Sequence, residues 1–192
     1  MTVLQEYQAK AIGLMNENLA INDKIANCGL GVADELGELA EIFFTDAGLQ
    51  AGLDKDTKIA HIREELGDLL WYCCVGMYQY GLTTFDPARI TTSASSWLYD
   101  DDAIQEFHTL LIISNPFIRH AKRTAFHGHP ITDEVKSEVN VSAHAIISKI
   151  VTIASITGAG TLADIVAENL KKLYKRYPDG KFSTEHSINR SV

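Results

Sequence analysis

Between its four prolines, Pro87, Pro116, Pro130 and Pro178, the chain repeats apolar residues at steps of three and four rather than two. That period places one apolar stripe along a helix, and it leaves no room for the alternation a half-buried strand needs. An all-α fold is therefore expected. A first helix is expected from Leu4 to Asn18, with Leu4, Tyr7, Ala11 and Leu14 on its stripe, and a second from Leu30 to Ala47, stopping at Gly48. A third is expected to begin at Asp56, to carry Ile59, Ile62, Leu66, Leu69, Cys73 and Met77, and to stop at Gly81. The aspartate run 100–102 opens a fourth, and Asn115-Pro116 reads as the cap and first residue of a separate short helix ending by Gly128. Thr132 to Gly158 and Thr161 to Pro178 complete the set.

Residues 1–192 read as one all-α domain, since 46% hydrophobic and 22% charged residues suffice for one core. The stretch Thr91 to Ser96 is the best internal boundary, and 181–192 is a polar tail. A net charge of −8 argues against a nucleic acid polymer as partner and for a small substrate met through a local cation. The three cysteines, Cys28, Cys73 and Cys74, form no Cys-x-x-Cys pair and read as reduced thiols. Glu6 and Lys10 stand where a signal peptide would be apolar, and the greasiest segment, 143–154, is broken by His144, Ser148 and Lys149. A cytoplasmic protein without a membrane partner is expected.

Glu35-Leu36-Gly37-Glu38 and Glu65-Leu66-Gly67-Asp68 are one pattern written twice. A three-residue step is about 300° of helical rotation, so each pair lies on one face with Cβ atoms about 5 to 6 Å apart. Packing the two helices together would gather four acids, and two charges about 5 Å apart repel by about 3 kcal/mol at an effective dielectric near 20. A cation relieves that repulsion. Four hard oxygen donors and no histidine at the matching step suit Mg²⁺, or Mn²⁺, better than zinc. The same residues also fit a solvated acidic face.

The two acid motifs sit within Gly29-Leu30-Gly31-Val32-Ala33-Asp34-Glu35-Leu36-Gly37-Glu38 and Glu64-Glu65-Leu66-Gly67-Asp68-Leu69-Leu70-Trp71-Tyr72. Asn169-Leu170-Lys171-Lys172-Leu173-Tyr174-Lys175-Arg176-Tyr177-Pro178-Asp179-Gly180 follows near the end. In this order the three resemble the MazG-like nucleoside triphosphate pyrophosphohydrolases, a family with a four-helix-type core. The resemblance implies hydrolysis of a nucleoside triphosphate to the monophosphate and pyrophosphate, with Glu35, Glu38, Glu65 and Asp68 as metal ligands. Glu38 is expected to accept the proton of the attacking water, and Asn169, Lys172 and Arg176 to meet the substrate. A homodimer is expected. Two alternatives stay open: a specialised dUTP or phosphoribosyl-ATP hydrolase, and a catalytically idle nucleotide-binding protein of the same fold.

The long insertion before the closing helix departs from the usual family member. Lys122 to Pro130 resembles a family loop, and Lys136 to Val141 falls where a second Glu-Glu-Leu-Gly-Asp would stand. This suggests a degenerate pseudo-repeat, 1–95 and 100–180, in which Pro116 and Arg119 replace the first acid pair, Glu138 survives and Val141 replaces aspartate. One composite site per chain follows. His127 and His129, with His120 nearby, could suggest a metal cluster, but the family-like loop already accounts for Gly128-His129-Pro130. Gly29-Leu30-Gly31 reads as the end of a loop and the start of a helix. Trp71 and Tyr72 read either as core or as the wall of a base pocket.

Overall fold

Thr2 starts the first helix with a reciprocal cap: its hydroxyl accepts the Gln5 N–H, and the Gln5 side chain accepts the Thr2 N–H at 2.8 Å. The computed structural model describes residues 2–44, 54–90 and 100–188. Over these the chain forms α1 (Val3–Ile12), α2 (Ile21–Phe44), α3 (Lys55–Gln79), a 3₁₀ turn (Pro87–Arg89), α4 (Asp100–His127), α5 (Asp133–Thr157), α6 (Leu162–Arg176) and α7 (Thr184–Ile188), with no strand among the described residues. The all-α expectation holds.

Several boundaries differ from those expected, some for a local reason and some for a tertiary one. α1 stops at Ile12 rather than Asn18, because Gly13 closes it and Asn16 turns the chain by accepting the Asn18 N–H on its own side chain. Leu14 and Met15, though outside the helix, are still buried. α2 begins at Ile21, well before Leu30, so Gly29 and Gly31 are helix interior and not a loop. Both serve close approach: a Cβ at Gly29 would lie 2.4 Å from Ala121 of α4, and one at Gly31 would lie 2.3 Å from the Tyr72 ring of α3. The cap of α3 is Asp54 rather than Asp56, its carboxylate accepting the N–H groups of Asp56 and Thr57 at 3.0 Å.

The aspartate run and Asn115-Pro116 do not open two helices; α4 runs through both. Proline removes an N–H and crowds the carbonyl four residues back, which belongs to Ile112. Ile112 is 74% exposed, so the displaced carbonyl stands on the solvent side, where a helix tolerates bending. On the other side Phe107, Leu110, Phe117 and Ala121 are all buried and hold the helix in one piece. At α5 and α6 the expected signals hold: Thr132 and Thr161 are N-caps, and Gly158 ends α5 in the left-handed conformation, at φ 78°. The expected stop at Gly48 and the boundary at 91–96 lie outside the described residues.

The core is a ring of four helices in which α2 touches α3 and α4, and α5 touches the same two. Leu69, Cys73 and Met77 from α3 and Ile146, Ile150 and Ile153 from α5 are fully buried there, each large aliphatic side chain contributing about 1.5–3 kcal/mol. α5 is long and apolar enough to cross a membrane by length and composition, contrary to the expectation that no segment is, but most of its apolar surface is buried in this core. α1 and α6 pack on α3. Gln8 fixes α1 there, donating its amide to the backbone carbonyls of Cys74 at 2.8 Å and Leu82 at 3.1 Å.

Candidate metal centre

Because α2 and α3 pack side by side, the acids on their facing edges converge. One carboxylate oxygen each from Glu35, Glu38 and Glu65 lies within 4.8 Å of the other two. Glu35 is 6% exposed, Glu65 half-buried and Glu38 at the surface, so the cluster opens to solvent on the Glu38 side. Burial, then the charges of Asp68 and Glu65, push the Glu35 carboxyl up to about 9, and burial followed by Glu38 pushes Glu65 up to about 8. At 4.8 Å each ionised pair repels by about 3 kcal/mol at an effective dielectric near 20. The cluster is relieved either by protons shared between Glu35 and Glu65 or by a cation. Carboxylate oxygens without histidine or thiolate are the donor set for Mg²⁺ or Mn²⁺, and the residues fit such an ion.

Asp68, expected as the fourth acid, is held differently. Its carboxylate accepts Asn169 Nδ2 at 2.7 Å on one oxygen and Lys172 Nζ on the other. It stands near enough to raise Glu35, but its own charge is answered by α6. Lys172 also reaches Glu64 at 2.7 Å. Burial alone would lower the pKa of Lys172, but Asp68 and Glu64 outweigh burial and hold it above the usual lysine range. Asn169, 4% exposed, receives the Tyr7 hydroxyl on Oδ1 at 2.6 Å, which aims its amide at Asp68. The two Leu-Gly glycines differ here. A Cβ at Gly67 would lie 3.0 Å from the Asn169 Cβ, so glycine admits α6 to this depth, whereas a Cβ at Gly37 would meet nothing.

The expected substrate-facing residues Asn169 and Lys172 thus reach the acid helices. Arg176, one turn further along α6, borders a cleft of about 320 Å³ that begins at Asp68. Trp71 and Tyr72, edge to face at 4.9 Å between ring centroids, form part of its wall. The pair meets both readings, since the two rings pack against the core and also line the cleft. Tyr7 and Glu64 were not legible as site residues, since Tyr7 falls on an apolar stripe and Glu64 carries no motif of its own.

In the second half Arg119 and Glu138 meet at 3.5 Å, and His120 Nε2 lies 2.6 Å from the same carboxylate oxygen. His120, then Arg119 and Arg123, hold Glu138 below the usual carboxylate range. Where the expected pseudo-repeat would align the acids of the first half, Glu138 is therefore met by positive charge from the chain itself. Val141, in the aspartate position, is exposed, and Pro116 lies inside α4. The three cysteines are buried and free, and burial pushes the Cys28 thiol up to about 12, which keeps it protonated and inert. Compared with known proteins, the chain matches no family model, no curated protein and no solved structure.

Proposed function

We propose that the protein is a MazG-like, Mg²⁺-dependent hydrolase that converts a nucleoside triphosphate to the monophosphate and pyrophosphate. The observation that carries this reading is the meeting of three separated motifs at one place. Glu35, Glu38 and Glu65 cluster on α2 and α3, and Asn169 and Lys172 of α6 close on the adjoining Asp68. A solvated acidic face has no need of a buried glutamate or of a lysine and an amide drawn in from a helix a hundred residues away.

Glu35, Glu38 and Glu65 would hold the metal, which supplies neutralisation of phosphate oxygens and acidification of water when bound. Asp68, fixed by Asn169 and Lys172, borders both the acid cluster and the cleft and sets the distance between them. Lys172 and Arg176 offset triphosphate charge, and Lys172 is in place before substrate arrives. Glu38, the most exposed acid of the cluster, takes the proton of a water as its oxygen bonds to phosphorus and the bond to the bridging oxygen breaks, releasing pyrophosphate. The internal Arg119–Glu138–His120 contact supports one such centre per chain.

A panel of nucleoside and deoxynucleoside triphosphates with Mg²⁺, with pyrophosphate resolved from orthophosphate, tests this. Pyrophosphate as first product is expected, and orthophosphate would refute cleavage between the α- and β-phosphates. The pairing of Asp68 with Lys172, which leaves three acids for a metal, favours a second reading as an idle nucleotide-binding protein. Absence of turnover on every nucleotide would select it.

A further inference from the structure

Along α4, His108, Ile112, Asn115, Arg119, Lys122 and Phe126 follow one another at alternating steps of four and three, and every one of them is exposed. Side chains at that spacing form one straight stripe down a helix, the kind of seam along which two helices pack. The middle of the stripe is apolar. Ile112 is 74% exposed and Leu111 stands exposed beside it. α5 runs alongside at this level, where Ser142 donates to the Ile113 carbonyl at 2.6 Å, and its Val141 is exposed as well. The two ends of α4 carry opposite charge, with Asp101 and Asp102 in the first turn and Arg119, Lys122 and Arg123 toward the other end. The helix dipole favours such charges only within the first and last turns, and the three bases precede the last turn, which ends at His127. Arg119 reaches Glu138 at 3.5 Å, but Lys122 and Arg123 form no ion pair among the described residues. At the centre, Pro116 leaves the Ile112 carbonyl without its helical N–H, and the Asn115 side chain makes no hydrogen bond among the described residues.

We infer that this stripe is the contact through which two copies of the chain pair, α4 lying antiparallel on α4 about a twofold axis between Ile112 and Asn115. A twofold contact sets a surface against its own reversed image. A stripe that is acidic at one end, apolar in the middle and basic at the other is complementary to itself in that arrangement, whereas a parallel one sets like charges together. The aspartates of each copy then meet Lys122 and Arg123 of the other, Ile112 packs beside its mate, and the Asn115 carboxamide donates to the Ile112 carbonyl of the second copy. A net charge of −8 repels two copies at long range, so the basic end is also what orients their approach. α4 packs on α2 and α5 and lies across the ring from α3, so each copy keeps its own acid cluster complete. The contact therefore holds whether or not the protein is a hydrolase.

Sedimentation of the full chain at micromolar concentration tests the pairing, and a species of twice 21.2 kDa is expected. Ile112→Asp, at an exposed position, should raise the dissociation constant of the dimer at least tenfold and leave the far-ultraviolet helical signal intact. Lys122→Glu with Arg123→Glu should weaken the dimer by a similar factor, and adding Asp101→Lys and Asp102→Lys to that variant should restore it. Such an exchange reads the antiparallel direction, because in a parallel pair like charges meet before and after it. Oxidation of single added cysteines reads the position. Ile112→Cys and Asn115→Cys, each within one turn of the axis, should give a disulfide-linked dimer, whereas Val3→Cys, also exposed but on α1, should not. The chain's own Cys28, Cys73 and Cys74 are buried and stay out of the reaction. A parent that sediments as a monomer, a dimer that persists in Ile112→Asp, or cross-linking no greater at residue 112 than at residue 3 overturns the contact. Failure of the four-residue charge exchange to restore the dimer overturns its antiparallel direction.

Discussion

Replacing Glu35 by glutamine should stabilise the metal-free protein and make it blind to magnesium. Glu35 is 6% exposed, and its carboxyl is raised from 4.5 in the unfolded chain to about 9 in the fold. A raised carboxyl pKa means that the folded state binds the proton more tightly. Its contribution to stability is fully present below pH 4.5 and is lost as pH rises toward about 9. At pH 7 the loss is about 2.5 pH units at about 1.4 kcal/mol each, or about 3 kcal/mol. Glutamine keeps the shape and cannot ionise, so at pH 7 to 8 in EDTA Glu35→Gln should be more stable by about 2–3 kcal/mol, seen as a rise of about 5–10 °C in Tm for a chain of this size. Adding millimolar Mg²⁺ should raise the Tm of the parent, whose three carboxylates can then all ionise, and leave the variant almost unmoved. Thermal melts by circular dichroism at pH 5 and pH 8, with EDTA and with Mg²⁺, give the four curves needed. A variant less stable than the parent in EDTA at pH 8, or raised equally by Mg²⁺, would refute both the burial argument and the assignment of Glu35 as a ligand.

Mg²⁺ binding at pH 7 should release about one to two protons, because Glu35 and Glu65 hold protons in the metal-free protein, and calorimetry in buffers of different ionisation enthalpy measures the number. Glu38→Gln should abolish turnover while leaving the far-ultraviolet helical signal intact; full activity would remove Glu38 from the centre. Gly37→Ala should stabilise by about 0.5–1 kcal/mol, since helix propensity improves and a Cβ there meets nothing, whereas Gly67→Ala should destabilise and depress activity by pressing on Asn169. Chemical denaturation of the two variants side by side checks that contrast. Lys172→Met should lower kcat/KM at least tenfold, because Asp68 and Glu64 lose their common cation.

The helices were legible in the sequence because their causes are local. Thr132, Thr161 and Gly158 act through hydrogen bonds within one turn, and the apolar stripes of α3 and α5 need only the helical period. The α1 stop at Ile12 and the Asp54 cap of α3 have local causes, whereas the other misplaced boundaries are those where a tertiary contact outweighs a local preference. Gly29 and Gly31 look like loop residues until Ala121 and Tyr72 are seen to need their missing side chains, and Pro116 looks like a helix start until the buried stripe of Phe107, Leu110 and Phe117 carries α4 through it.

The same division holds for the candidate site. The sequence alone determined that Glu35 pairs with Glu38 and Glu65 with Asp68 on single helix faces, because a three-residue step fixes that geometry wherever the helix lies. Only the tertiary structure decided which neighbours each acid meets. Packing of α2 on α3 joins Glu65 to the first pair, the depth of α6 over Gly67 gives Asp68 to Asn169 and Lys172, and Tyr7 enters from α1 to orient the amide. These contacts join residues as much as 162 positions apart, and no local period encodes such distances.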